Sequence, residues 1–351
     1  MNAMIVKIPL PLAHTGSVNA WLVRGDPLTL VDTGLRDAAA LSALEQGLRA
    51  QGVRIEDIEL VLATHHHVDH FGLAATIKRR SGATIAVLGA LADYAERYPE
   101  AVEEDRRFGH ALMRHHGVPE QVIAGDEPFW DFLREGAESF RADVRLTDGD
   151  TIRAGDRTLR IVTRPGHSTT DTLFVDDHAA LAFTGDHLLS SISSNTEIAS
   201  PGRSADGRAR SRLRYLESLR HTAEMPLRRL FTGHGAVVTG HRRLVQARLL
   251  EHGRRCERIR GILADGPAGA YEIAQGLWVP RTVTEQPLLV VWEVLGHLEL
   301  LLDAGQVVEH MGADGSQFEL TRGRPARRAR RRPPARLQGR RHPEPARVRQ
   351  G

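Results

Sequence analysis

The chain has 351 residues, 41% of them apolar and 26% charged, enough for one large catalytic domain and a smaller module around a sizeable buried core. Its net charge of +3 is unevenly spread: segment 322–351 holds twelve arginines and one acidic residue, Glu344, so the tail carries +11 and the body −8. A mildly acidic body argues against a nucleic-acid surface built into the fold, and the single cysteine, Cys256, excludes an internal disulfide or a cysteine-based zinc cage.

The first residues, 1–15, form a short apolar stretch broken by Lys7, Pro9 and Pro11 that leads straight into strand-like sequence, with no signal-peptide core. No run of about 18 uncharged apolar residues occurs anywhere, so the expectation is a cytoplasmic protein with no membrane partner. Short apolar runs then alternate with helical patterns: strands at 28–31, 58–63, 84–88, 158–163, 172–175, 180–184 and 229–232, and a helix at 38–51. That alternation is an α/β (α+β) signature. Residues 90–140 read as a helical insert that gathers Tyr94, Tyr98, Phe108, Phe129, Trp130, Phe132 and Phe140 in a chain with few aromatics. Two readings fit it equally: a lid walling a hydrophobic pocket, or a helical pair with a small core of its own.

Further on, a long basic helix at 241–264, helices at 270–277 and 287–302, and a hairpin at 306–320 turning at Asp314-Gly315 suggest a small winged-helix-like domain over 246–321. Its third helix carries Glu293, Glu299 and Asp303 and no Lys or Arg, which would repel phosphate, so a structural, dimerising or pocket-closing role is expected rather than DNA binding. The stripe Leu288, Val291, Leu295, Leu298 and Leu302 suits a homodimer face and an internal core equally well. From Arg322 onward the Arg- and Pro-rich sequence cannot bury enough surface to fold, and disorder is expected.

Chemistry concentrates after the strand at 58–63, in Thr64-His65-His66-His67-Val68-Asp69-His70. Imidazoles and a carboxylate at one strand end can face a single cavity and offer the nitrogen and oxygen donors that zinc or a similar divalent ion takes. Three later strands end alike, in Pro165-Gly166-His167-Ser168, Thr184-Gly185-Asp186-His187 and Thr232-Gly233-His234-Gly235, each with a glycine that lets one ligand approach a shared centre. Strand ends of layered α/β sheets are where active sites usually sit.

In this order, Val31-Asp32-Thr33-Gly34, His65-x-His67-x-Asp69-His70, His167, Asp186 and His234 resemble the five motifs of the metallo-β-lactamase superfamily, over about residues 1–245. The resemblance implies a four-layer αββα sandwich and two divalent metal ions, zinc first, although iron or manganese suit the same donors. His65, His67 and His167 would hold one ion, Asp69, His70 and His234 the other, and Asp186 would bridge them. Asp32 would steady the ligand loop without touching metal, His66 would point away, and His187 would pack or support. With Asp186 and no cysteine ligand, the site resembles the glyoxalase II type. The C-terminal module adds a likeness to the β-lactamase-like-protein-2 branch, although the spacing from His70 to His167 exceeds that of compact glyoxalase II enzymes. The implied activity is hydrolysis of an ester-like carbonyl bond in a small acyl substrate, thioester first, then lactone, then β-lactam. A metal-bound hydroxide would attack, with Asp69 as the catalytic carboxylate. The alternative is a metal-dependent ribonuclease or phosphodiesterase, which the arginines between Arg208 and Arg214 and the tail would serve.

Overall fold

The computed structural model describes residues 4–12, 16–200, 203, 210–312 and 315–321. The basic tail and the hairpin residue Asp314 lie outside the described residues. Strand β1 (Ile5–Leu12) alternates buried Ile8, Leu10 and Leu12 with exposed Lys7, Pro9 and Pro11. Its prolines are tolerated because β1 is an edge strand, hydrogen-bonded only to β2 (Gly16–Val23). Strands β3 (Thr29–Val31), β4 (Leu60–Leu62), β5 (Thr84–Leu88) and β6 (Val144–Leu146) complete a six-stranded sheet and run parallel to one another. A five-stranded sheet follows from β7 (Thr151–Ala154), β8 (Arg157–Thr163), β9 (Thr172–Asp176), β10 (Leu181–Gly185) and β11 (Arg229–Thr232).

Most central strands are buried on both faces and read as unbroken apolar runs, with side chains dealt alternately to two cores. Val31, Leu60, Leu62 and Ala86 of the first sheet meet Leu159, Ile161, Phe174, Phe183 and Phe231 of the second in one inter-sheet core. The outer face of the first sheet packs on α1 (Ala38–Arg49), which Asp37 caps by accepting the Ala40 N–H, and on α3 (Ala74–Ser81), which follows the short α2 (Val68–Phe71). The outer face of the second sheet packs on α8 (Ser211–Glu224) and α9 (His241–Leu263). The result is an αββα sandwich.

This topology brings the sequence's strand ends together. β3 and β4 are parallel, β10 and β11 are parallel, and β8 runs with β10 because both lie antiparallel to β9. Their C-terminal ends, which carry Asp32, the 64–70 loop, His167, Asp186 and His234, therefore share one edge of the sandwich.

The insert between β5 and β6 consists of α4 (Gly89–Glu96), α5 (Tyr98–His115), α6 (Glu120–Ala124) and α7 (Glu127–Gly136). Its Tyr98, Met113, Trp130 and Phe140 join the same core as Phe71, whereas Tyr94 and Asp105 turn toward the strand-end cluster. Beyond β11 come α9, α10 (Ala270–Leu277), α11 (Pro280–Glu285), α12 (Pro287–Asp303) and the hairpin β12 (Val307–Gly312) and β13 (Gly315–Leu320); α11 had no counterpart in the periodicity. Leu288, Val291, Leu295 and Leu298 of α12 are buried in the core they share with the insert, so the apolar stripe serves as internal packing in this chain. No helix among the described residues is long and apolar enough to cross a membrane.

Buried Asp126 accepts the Trp130 indole N–H at 3.1 Å, and burial pushes its carboxyl up to about 7. An unfolded aspartate releases its proton near pH 4, so between about 4 and 7 the folded state holds the extra proton; the penalty is absent below pH 4, grows between 4 and 7 and is fully present above 7. Asp126→Asn is expected to stabilise the protein at pH 8.5, by something on the order of 1–3 kcal/mol, and to add much less at pH 5. Thermal melts of both proteins at the two pH values check this, and an equal gain at both would contradict it.

Candidate metal centre

The seven residues singled out by the motifs converge. His65 Nε2 and His167 Nε2 each lie 3.1 Å from His67 Nδ1. On the other side His234 Nε2 stands 3.2 Å from Asp69 Oδ2, and His70 Nε2 stands 3.6 Å from the same oxygen. Asp186 lies between the two sets: Oδ1 is 3.5 Å from His70 Nε2, and Oδ2 is 3.3 Å from His234 Nε2 and 3.8 Å from His167 Nε2.

The outer nitrogens of these rings reveal which inner nitrogens can offer lone pairs. His167 Nδ1 lies 2.8 Å from the Asn195 carbonyl and His234 Nδ1 2.8 Å from the Ser17 carbonyl; a carbonyl only accepts, so both Nδ1 atoms are protonated and both Nε2 atoms are the ones available as ligands toward the centre. His70 Nδ1 is 2.9 Å from Asp32 Oδ2. The Thr64 hydroxyl donates to Asp32 Oδ2 at 3.0 Å and so offers its lone pair to His65 Nδ1 at 3.1 Å, which leaves His65 Nε2 facing inward. His67 alone presents Nδ1. Asp32 supports the loop as the motif implied, also accepting the Thr64 N–H at 2.8 Å, from a left-handed backbone with φ of 61° that aspartate tolerates.

Within the cluster two buried atoms that face each other at 3.5 Å, His70 Nε2 and Asp186 Oδ1, make no hydrogen bond. Histidine and carboxylate donors converging around orphaned atoms fit a divalent ion, and the sets His65/His67/His167, Asp69/His70/His234 and His65/His70/Asp186 each bring three donor atoms within 4.8 Å of one another. The electrostatics agree. Burial pushes His65 and His67 well below the usual histidine range, and neighbouring imidazoles add to that, keeping them neutral. Burial opposes charge on His234 as well, yet Asp186 and Asp69 raise it to about 10; the same opposition, overcome by the His70 charge, leaves Asp69 at about 2. Without a cation this half of the site balances its carboxylates with protons, and a bound cation would displace them.

Close approach is built into the strand ends. A Cβ at Gly233 would collide with Asp186 Oδ1 and His70 Cε1, and one at Gly185, whose φ is +47°, would collide with the Thr64 hydroxyl.

His66 turns from both sets, as the motif implied, but it is buried in a polar network that sequence reasoning missed. Its Nδ1 meets Thr170 Oγ1 at 2.9 Å, and its Nε2 lies 2.8 Å from an Arg203 nitrogen and 3.1 Å from Glu197 Oε2. Arg203 also bonds Glu197 at 2.7 Å and Asp105 at 2.5 Å, and lies over the Tyr94 ring at 4.7 Å. Burial raises Asp105 to about 6 despite Arg203. Tyr94 and Asp105 come from the insert, Glu197 and Arg203 from the strap after β10; neither segment shows a periodicity that marks them. His187 is buried on Thr222 Oγ1 at 2.9 Å, away from the cluster, in the packing role anticipated. Cys256 lies in α9 with its thiol raised by burial to about 11, unsuited to attack.

A family model described as "Metallo-beta-lactamase superfamily" matches residues 14–234. The chain is 29% identical over 305 residues to a Bacillus subtilis protein named probable metallo-hydrolase YqjP, covering 86% of this chain and 92% of that one. It is 30% identical over 179 residues to the human acyl-coenzyme A thioesterase MBLAC2, spanning 48% of this chain and 57% of that relative. A hydroxyacylglutathione hydrolase of Rhodopseudomonas palustris is 27% identical over 165 residues, 47% of this chain and 46% of that one. Among solved structures, a metallo-beta-lactamase family protein of Thermus thermophilus superposes with a TM-score of 0.76 at 26% identity, over 90% of this chain and 98% of that one.

Gly233→Ala is expected to leave a folded sandwich that loses affinity for a divalent ion by on the order of 10-fold or more, since the new methyl displaces Asp186 or His70. Metal titration against a competing chromophoric chelator reads this, and unchanged affinity would refute it.

Proposed function

Because this chain belongs to the metallo-beta-lactamase superfamily, we propose that it is a two-metal hydrolase of acyl thioesters. The observation that carries the reading is the Asp186 carboxylate, which stands between the two sets of inward-pointing donors, within 3.5 Å of His70 Nε2 and 3.3 Å of His234 Nε2 on one side and 3.8 Å of His167 Nε2 on the other. His65, His67 and His167 would hold one divalent ion, Asp69, His70 and His234 the other, with Asp186 between them. When bound, such ions bring the pKa of a water near 7 and stabilise negative charge on a substrate oxygen.

The chain's own residues do the rest. Asp32, Asn195 and Ser17 fix the imidazole tautomers so that the inner nitrogens of His70, His167 and His234 are free to present lone pairs. Asp69 would receive the proton of an attacking water and pass it to the departing sulfur. Water's oxygen joins the acyl carbon, the carbon–sulfur bond breaks, and a carboxylic acid and a thiol leave. Thioesters are favoured among carbonyl substrates by the relatives named for acyl-coenzyme A and hydroxyacylglutathione. The wall beside the site also suits an acyl group, because Arg203 faces two acids and leaves no excess positive charge for a polyanion. Of the arginines around position 210, Arg212 is buried against Glu293, which removes it from any nucleic-acid groove.

The test is a panel of acyl-coenzyme A, hydroxyacylglutathione, a lactone, a chromogenic β-lactam, a phosphodiester and a short RNA, each with and without chelator. Chelator-sensitive turnover led by a thioester is the expected result. Asp186→Ala should lower its kcat/KM by on the order of 100-fold or more, about 3 kcal/mol of transition-state stabilisation. Turnover confined to the phosphodiester or RNA would overturn the substrate class, and full activity of Asp186→Ala would overturn the site.

A further inference from the structure

We infer that α12, in the C-terminal segment, is a positioning element of the metal centre, acting on His167 through Asn195. The inference rests on the metal-site reading above and extends it to residues more than 50 positions away from any motif. His167 Nδ1 is oriented by the Asn195 carbonyl at 2.8 Å. α12 holds Asn195 directly and through α8: its side-chain Nδ2 donates to the Leu289 carbonyl of α12 at 2.9 Å, and its Oδ1 accepts from Arg212 Nη2 of α8 at 3.2 Å as well as from the Thr196 N–H at 2.8 Å. Arg212, on α8, is fully buried and is paired to Glu293 of α12. Its other terminal nitrogen reaches the Ser194 carbonyl at 3.4 Å, and the Ser194 hydroxyl in turn donates to the backbone carbonyl of Asp186. One clamp thus grips the two consecutive residues that touch His167 and Asp186.

Gly296 adds an independent observation. It sits within α12, where glycine costs about 1 kcal/mol relative to alanine. An added Cβ there would lie 3.1 Å from Arg212 Nε and 3.2 Å from Thr196 Oγ1. The helix gives up propensity at a point where it presses on the clamp. A buried guanidinium whose carboxylate partner comes from α12 has a fixed position only while α12 is seated, because an unpaired buried charge is strongly unfavourable. Positioning of His167 is therefore coupled to docking of the C-terminal helix, with Glu293, Arg212 and Asn195 as positioning residues that touch neither metal nor substrate.

Zinc titration of the full-length protein against a chromophoric chelator, with the cobalt(II) absorption spectrum and a metal-free thermal melt, distinguishes this role from plain packing. Asn195→Ala and Glu293→Gln are expected to weaken one of the two ions by on the order of 10- to 100-fold and to alter the cobalt bands, while the other ion binds as before. Leu301→Ala, which empties core volume on α12 away from the clamp, should lower the melting temperature and leave both affinities intact. Wild-type affinities in either folded clamp variant would overturn the inference, and so would an equal loss of affinity in Leu301→Ala. A wild-type protein that binds no metal would instead bring down the proposed function itself.

Discussion

A carboxylate buried at a sheet edge must have its lone pairs answered, and Asp32 finds those answers in the ligand loop. At the end of β3, 1% exposed, it accepts the Thr64 N–H and hydroxyl from the turn after β4 and the His70 Nδ1 proton from the helix that follows. Those bonds set the direction of the loop, the tautomer of His70 and, through the Thr64 hydroxyl, the tautomer of His65. A hydrogen bond to a charged acceptor contributes about 1.5–3 kcal/mol, and leaving such a carboxylate unpaired costs more. These bonds hold the loop so that His65 and His70 turn their Nε2 atoms toward the centre.

The same need for compensation runs outward through the site. His167 and His234 are held by carbonyls of the strap and of β2, not by carboxylates, so their orientation depends on backbone that other elements must fix. For Ser17 the fixing is done by the β-ladder of β1 and β2. For Asn195 no strand is available, and a side-chain clamp from α8 and α12 takes that place. The His66 side follows suit, with Arg203 tying the strap to the insert across a buried pair of acids. Layers that look peripheral in the chain order therefore supply the stiffness that the sheet edge lacks.

The residues of the cluster and most central strands were legible in the sequence because both are local. The apolar runs ending in Gly166, Gly185 and Gly233 place a candidate ligand soon after a strand end, and the HxHxDH pattern is written in six consecutive positions. Strands at 84–88 and 229–232 appear as read, the other strands named differ by a residue or two at their ends, where pairing partners decide the boundary, and the short, largely exposed β6 and β7 carry no apolar run that marks them. Glu197, Arg203, Asp105 and Asn195 were not legible. Each acquires its role only from a partner far away in sequence, and a lone acid or arginine in a strap without periodicity carries no mark of that partner.

The insert illustrates why its aromatic content left two readings open. Aromatic side chains bury similar area whether they face a pocket or a core, so composition does not separate the cases. In the structure Trp130, Tyr98 and Phe140 lie in the core shared with Phe71 and α12, and the contact with the strand-end cluster is made by Tyr94 and Asp105. Insert and C-terminal helices meet each other directly, with Leu288 of α12 packing where a Cβ on Gly109 of α5 would stand. The site is therefore flanked on one side by the Glu293–Arg212–Asn195 chain at His167 and on the other by Arg203 and the insert at His66. The apolar core between these polar contacts holds the layers together, and orientation of the imidazoles rests on the few hydrogen-bonded residues at its margin.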